Sequence, residues 1–389
     1  MKSLVARLTS LIFVLILSLG SISFFACCNK KKDETRVPVE KKIYDFTDPE
    51  DYRELWDFNR ALLLSNENDR ALRQAVSSFS TTGKDAESIF LLALVCFRDE
   101  KYKECLELLD ALAKFRANDE WIHYNRGLIY TRTDMPDRAI EEFNKAIKIR
   151  KNFPEAYFLL STTYSSKRDF DSALAAINQA LFYKHNFPEA HNNRGVILNQ
   201  LGKNEQSYEC YTEAIRQNPR FGEAYLNRGI YRIFGCDDMK GGMQDLEKAI
   251  KYAPKSANSW AGYGLALGKN GKYEEALKAL DKALSINPSL GQAWSNRGYV
   301  LIKLKKYDEA LSSFEQALSI LPGHFESTIG LATSQLMLGQ VDSALDNLEK
   351  GLHINPSIRA RIAVDPAWTQ LLNNEKYANK FKQLIGKAK

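Results

Sequence analysis

A spacing of thirty-four residues runs through the chain, and it limits the fold more than any other feature. Glycine recurs at Gly127, Gly195, Gly229, Gly264 and Gly298, with Ser161 filling the missing step and Ala93 and Ala332 extending the series. Twelve residues beyond lie Cys105, Ala139, Ala173, Ser207, Gly242, Ala276, Ala310 and Ala344, nearly all tiny. Further series are Ala146, Ala180, Ala214, Ala249, Ala283 and Ala317, then Pro219, Pro254, Pro288, Pro322 and Pro356. A bulky series runs Phe143, Ile177, Tyr211, Leu246, Leu280, Phe314 and Leu348. A fixed period of this length is the mark of a stacked array in which each unit covers the apolar face of the next.

The chemistry of each series follows from helix packing. Small residues let two antiparallel helices approach, and the bulky series fills the seam between them. The proline ends one helix pair and opens the next. Within a unit the apolar spacing is helical, as in Tyr273-Glu-Glu-Ala-Leu-Lys-Ala-Leu-Asp-Lys-Ala-Leu284, and no stretch alternates as a strand would.

These series resemble the tetratricopeptide repeat. The resemblance covers about 87–355 as eight units, with a degenerate unit before it (Leu55, Phe58, Ala71, Ala75). It implies an all-α, right-handed α-solenoid of antiparallel helix pairs over 52–358. Residues 359–389 are expected to form a pair of capping helices, since an array needs a polar cover on its last apolar face. One unit breaks step: thirteen residues instead of twelve separate Gly229 from Gly242. The extra residue reads as a tolerated loop insertion, with a protruding contact element as the sharper alternative.

The start of the chain is different. Lys2 and Arg7 precede an apolar run, Leu11-Ile-Phe-Val-Leu-Ile-Leu17, and small residues lead to Ala26-Cys27. That is the order of a secretory signal peptide over 1–26, and an uncleaved anchor is the alternative. From Leu11 to Ala26 the run holds sixteen residues, against the roughly twenty of a comfortable span. The ending resembles the lipobox of bacterial lipoproteins, which implies lipidation of Cys27, although Phe24 stands where that pattern prefers Leu, Val or Ile. Residues 27–51 then form a polar linker, and the localisation expected is the bacterial outer membrane facing the periplasm or the surface. Removing the leader takes two of the 54 basic residues and none of the 48 acidic ones, leaving +4, too mild for a nucleic-acid protein.

A binding face is also expected. Asparagine recurs two residues before the glycine at Asn125, Asn193, Asn227 and Asn296, each followed by arginine (Arg126, Arg194, Arg228, Arg297). Leu159 and Gly262 interrupt the row. It resembles the asparagine ladder in the repeat domain of O-linked N-acetylglucosamine transferases, which implies an extended peptide held through its backbone. An amide carries both donors and an acceptor, so it suits a peptide group. The bland alternative is a partly solvated asparagine in a common sub-pattern. The arginines read as stems laid on the seam with wet heads, or as an anion-binding row.

No catalytic signature appears: the sequence has no His-Glu-x-x-His, Gly-x-Ser-x-Gly or phosphate-cradling loop. The five histidines fall at differing places, and Cys96, Cys105, Cys210 and Cys236 lack metal spacing and read mainly as small apolar fillers. The expectation is a non-enzymatic adaptor needing no cofactor or metal, whose partner is a protein or peptide, with contact to a membrane through its N-terminal lipid. Rival expectations are an accessory component of a polysaccharide, nutrient-uptake or envelope-assembly system, and a self-associating rod.

Overall fold

A computed structural model of the chain describes residues 101–386 apart from residue 115, together with Ile89, Ala93, Cys96, Phe97 and Glu100. The expected signal peptide, Cys27, the linker and the degenerate unit all lie outside the described residues. The chain divides into two compact units, one ending at Gly202 and the other starting at Lys203.

All regular structure among the described residues is helical. The first unit holds α1 (Tyr102–Ala113), α2 (Glu120–Arg132), α3 (Pro136–Ile149), α4 (Pro154–Ser166), α5 (Phe170–Tyr183) and α6 (Pro188–Gln200). In the second unit α7 (Asn204–Gln217) is followed by α8 (Gly222–Gly235), α9 (Met239–Tyr252), α10 (Ala257–Lys269) and α11 (Tyr273–Ile286). Four more helices complete its stack: α12 (Gly291–Lys303), α13 (Tyr307–Ile320), α14 (Phe325–Met337) and α15 (Val341–Ile354). Consecutive helices pack as hairpins, α2 on α3 and α4 on α5 in the first unit, and α8 through α15 pairwise in the second. This is the α-solenoid stacking implied by the repeat.

The turns between paired helices share one device, with a variation at Asp237–Asp238 described below. A residue in left-handed conformation ends the first helix: Glu100, Asp134, Arg168, Gly202, Asp237, Gly271, Lys305 and Gly339, with φ between 52° and 78°. After Glu100, Asp134, Arg168, Gly271, Lys305 and Gly339 the next residue's N–H reaches back five positions, as in Met135 N to Tyr130 O at 2.8 Å and Lys306 N to Leu301 O at 2.9 Å. This is the Schellman closure, which satisfies carbonyls left over at a helix end.

The extra residue between Gly229 and Gly242 is taken up inside this device. Helix α8 holds 14 residues where α10 and α12 hold 13. The closing bond becomes Asp238 N to Arg232 O, six positions back, at 2.8 Å. Asp238 then caps α9 by accepting from Gly241 N at 2.8 Å, while Arg232 Nε binds its other oxygen at 2.8 Å. The segment is a helix end bound on both sides, as the tolerated insertion requires.

In the seam, small and large residues meet as the series implied. Phe143, Ile177, Leu246, Leu280, Phe314 and Leu348 are each 0% exposed. A β-carbon on Gly298 would stand 2.6 Å from Phe314 Cζ, and one on Gly127 would stand 2.5 Å from Phe143 Cε1. Successive pairs are tied by a further repeated bond. Trp260 Nε1 donates to Pro254 O at 2.9 Å and Trp294 Nε1 to Pro288 O at 2.8 Å.

The C-terminal cover differs in detail from the expected helix pair. It is built of a 3₁₀ turn, α16 (Arg359–Ala363), α17 (Pro366–Thr369), a second 3₁₀ turn and α18 (Ala378–Gly386). Asp365 caps α17 by accepting from Ala367 N, and proline at the next position fits a helix start, so the segment breaks there. Trp368 is fully buried beside Phe381, its ring centroid 6.1 Å away, and both belong to the core that includes Leu345 and Leu348 of α15. Lys376 and Lys380 reach back to Asp342 and Asp346 on α15 at 3.3 and 2.8 Å.

Candidate functional site

Within each unit the first helices of successive pairs touch one another: α2 with α4 and α4 with α6, then α8 with α10, α10 with α12 and α12 with α14. The second helices make fewer contacts among themselves. The first-helix layer is therefore the tighter, inner side of each stack. Tyr299 of α12 shows how close it is, since its hydroxyl donates to the Glu326 carbonyl of α14 at 2.7 Å. Burial pushes the Tyr299 pKa up to about 12, so that donor stays protonated.

All four asparagines of the row lie on these inner helices and are half-buried: Asn125 on α2, Asn193 on α6, Asn227 on α8 and Asn296 on α12. Two fall in each unit. Asn125 Nδ2 donates to Trp121 O, one turn back, at 2.7 Å. Asn193 Nδ2 reaches across to Thr162 Oγ1 of α4 at 3.4 Å. Asn296 Oδ1 accepts from Gln292 Nε2 at 3.3 Å. Each of these three amides has further donor or acceptor capacity beyond the bond it makes, since an amide carries two N–H groups and a two-lone-pair oxygen.

The arginines behave differently from expectation. The heads of Arg126, Arg228 and Arg297 are held by the chain's own side chains instead of standing in water. Arg228 grips Asp245 of α9 with both ends of its fork, Nε to Oδ2 at 2.8 Å and Nη2 to Oδ1 at 2.9 Å. Its Nη1 also donates to Thr212 Oγ1 of α7 at 3.3 Å. Arg297 donates from Nε to Asp281 Oδ1 of α11 at 2.8 Å and from Nη1 to Ser313 Oγ of α13 at 2.7 Å. Arg126 bonds Asp110 of α1 through Nη2. Arg194 is half-buried at the equivalent place on α6. In the second unit each arginine thus joins three helices: the one before it, its own and the one after it. Asp245 is only 2% exposed, and a bidentate guanidinium is the partner such a carboxylate needs. Arg228 and Arg297 have their forks occupied by the chain's own side chains, whereas Arg126 places Nη2 on Asp110 and keeps a buried Nε with no partner.

Sequence reasoning missed the acceptors. They stand sixteen residues before the arginine (Asp110, Thr212, Asp281) and sixteen or seventeen after it (Asp245, Ser313). In the first unit the later place belongs to Glu142, which is 7% exposed and accepts from His123 at 2.7 Å and Lys145 at 2.9 Å. Burial works to raise the Glu142 pKa, but these two bonds outweigh it and hold the carboxyl below its ordinary value. His123 is a packed, paired residue here. Among the described residues no group of three His, Cys, Asp or Glu is placed to hold a metal ion, and no helix is long and apolar enough to cross a membrane.

Comparison with known proteins places the repeats. Family models described as tetratricopeptide repeat match residues 188–221 and 291–324, residues 246–278, and residues 122–153 and 154–181. A model described as TPR repeat matches 264–305. No curated protein matches the chain. Among solved structures, it is similar to the APC/C hetero-tetramer Cut9–Hcn1, with TM-score 0.57 and 15% identity over 82% of this chain. It spans 59% of that chain's length. A tetratricopeptide repeat protein from Parabacteroides merdae gives TM-score 0.48 and 17% identity, covering 69% of this chain and 98% of that one. PilF of Pseudomonas aeruginosa gives 0.46 and 18%, covering 54% and 94%. At such identities the likeness speaks for the fold alone, and fold, spacing and family models agree that this chain is a tetratricopeptide-repeat protein.

Proposed function

We propose that the chain is a non-catalytic adaptor, tethered to a bacterial membrane through a lipid on Cys27, that holds a protein partner along the inner helices of its repeats. The observation carrying this reading is the placement of Asn125, Asn193 and Asn296 on the inner layer with amide capacity to spare. A partner segment running along α2 to α6, or along α8 to α12, would meet one amide in most repeats. Helices pack about 8–10 Å apart, close to three residues of extended chain. The amides satisfy peptide groups without reading side chains, so the row favours an extended backbone over a folded surface. Arg126, Arg228 and Arg297 brace the helices that carry the asparagines and do not themselves contact the partner.

The membrane part of the proposal rests on the leader: a basic start, a short apolar run and Ala26-Cys27. Several acyl chains on one cysteine would suffice for stable anchoring, at about 0.8 kcal/mol per buried CH₂. The test is a crosslinked pull-down from membranes with wild type, an Asn193→Ala/Asn227→Ala double variant and Cys27→Ala. Adaptor function predicts a discrete partner, lost in the double variant, and release of Cys27→Ala into the soluble fraction. Undiminished capture by the double variant would refute the asparagine role, and retention of Cys27→Ala in the membrane would refute the lipid.

A further inference from the structure

We propose that Cys96 and Cys105 form a thiol pair that closes to a disulfide across the first described hairpin when the chain meets a low-molecular-weight disulfide. Cys105 lies on α1 and is 2% exposed; Cys96 is half-buried in the preceding helical segment. Both belong to one apolar cluster with Ile89, Leu109 and Leu112. The Cys105 thiol donates to the carbonyl oxygen of Ala93 at 3.1 Å.

That bond fixes where the sulfur stands. Carbonyls of an α-helix point towards its C-terminal end. Cys96 lies three residues after Ala93, about 4.5 Å further along the axis and about 60° round it. The Cys105 sulfur is therefore aimed at the turn of helix that carries Cys96. The hairpin register brings the two strands of helix close in the other repeats as well. Ser161 Oγ, at the place of Ala93, donates to Ala173 O, at the place of Cys105, at 2.8 Å. Of the repeats described here, this one alone has cysteine at both the Cys96 and the Cys105 places; the others carry pairs such as Tyr130 with Ala139 and Leu301 with Ala310.

The accessibilities set the order of events. Burial, with Cys96 beside it, pushes the Cys105 thiol up to about 12, so Cys105 is the poor first nucleophile. Cys96 attacks the reagent disulfide, forming a mixed disulfide and releasing one reagent thiol. Cys105 then attacks the Cys96 sulfur and releases the second reagent thiol. Two protein thiols lose two electrons and two protons, and one glutathione disulfide is reduced to two glutathiones. Exposed Cys236 supplies an internal comparison, since it lies alone in the α8–α9 turn and can only take up a single glutathione.

The experiment treats the full chain with glutathione disulfide at pH 8, traps remaining thiols and maps tryptic peptides. Cys96 and Cys105 fall on separate peptides, residues 85–98 and 104–114, so a bond between them links two fragments. We expect the linked pair at the stage when Cys236 is fully glutathionylated, its absence from Cys96→Ser, and a persisting glutathione on Cys96 in Cys105→Ala. Alanine is the ordinary residue at the Cys105 place, so that variant keeps the hairpin. Recovery of wild-type Cys96 and Cys105 as free thiols, or as separate glutathione adducts, while Cys236 is fully modified would overturn the assignment.

Discussion

Replacing Gly298 by alanine tests the packing logic of the stack, because two effects of opposite sign act at one atom. In an exposed helix this change would stabilise, since glycine is about 0.8–1.0 kcal/mol worse than alanine. Here the added β-carbon would sit 2.6 to 2.7 Å from three atoms of the Phe314 ring. Carbon atoms prefer about 3.5–4.0 Å, so the overlap is about 1 Å. The ring cannot swing away. It is 0% exposed, it packs so close to Gly330 of α14 that a β-carbon there would stand 2.2 Å from Phe314 Cζ, and Tyr299 packs edge-on at 5.1 Å. Overpacking of this kind costs about 1–3 kcal/mol, and the tight cage argues for the upper half. Set against the propensity gain, the net is a loss of about 1–2 kcal/mol, or about 2–8 °C in Tm for a unit of this size. Gly268→Ala is the matched comparison, as its nearest neighbour would be Val300 Cγ2 at 3.4 Å. It should gain up to about 1 kcal/mol. Urea and thermal melts followed by circular dichroism read both. If the two variants shift stability in the same direction, the seam is not close-packed and the reasoning is wrong.

The left-handed turn residue offers a gain: Lys305→Gly and Arg168→Gly relieve backbone strain and should each add up to about 1 kcal/mol, measured by the urea midpoint. Removing Arg228 as Arg228→Leu strips buried Asp245 of its bidentate partner and leaves it only the longer contact to Arg232 Nη1 at 3.4 Å, which should lower stability by about 1.5–3 kcal/mol, whereas Arg228→Leu/Asp245→Ala should recover most of it. Trp368→Ala in the cap should cost about 3–5 kcal/mol and accelerate amide exchange first in α14 and α15. Acid should act on the first unit through Glu142. Its folded pKa is depressed, so its contribution is present above the unfolded value near 4.3 and fades as pH falls through the folded value; Glu142→Gln should flatten that part of the stability profile.

The helix pairs were readable before any coordinates because every repeat states the same packing rule. A tiny residue at Gly298 and a ring at Phe314 mean little once, but repeated at thirty-four residues they define a seam. The cap was readable in place and not in form, since Asp365 and Pro366 end one short helix and start another where two helices were expected over 359–389. The arginine braces were hidden because their partners lie sixteen residues away on neighbouring helices, beyond any local motif. A signal for them was nonetheless present. After Leu160 and Tyr263, the apolar residues at the arginine place, the sixteenth residue is alanine (Ala176, Ala279); after Arg126 and Arg297 it is Glu142 and Ser313, and Asp245 follows Arg228 by seventeen. Asn347 after Leu331 and Cys210 after Arg194 blur the pattern. The left-handed turns were hidden for a different reason. Only Gly202, Gly271 and Gly339 advertise them, while Asp134, Arg168 and Lys305 adopt the same conformation under the pull of the closing hydrogen bond.

The proposed binding face can be tested by placing a photo-crosslinking residue at Asn193 or Asn296 on the inner helices, and at Lys148 of α3 or Lys282 of α11 on the outer ones. Illumination of membranes from cells expressing each variant should give a discrete crosslinked species from the two inner positions and none from the outer two. A crosslink confined to the outer positions, or equal yield from both layers, would contradict binding along the inner helices.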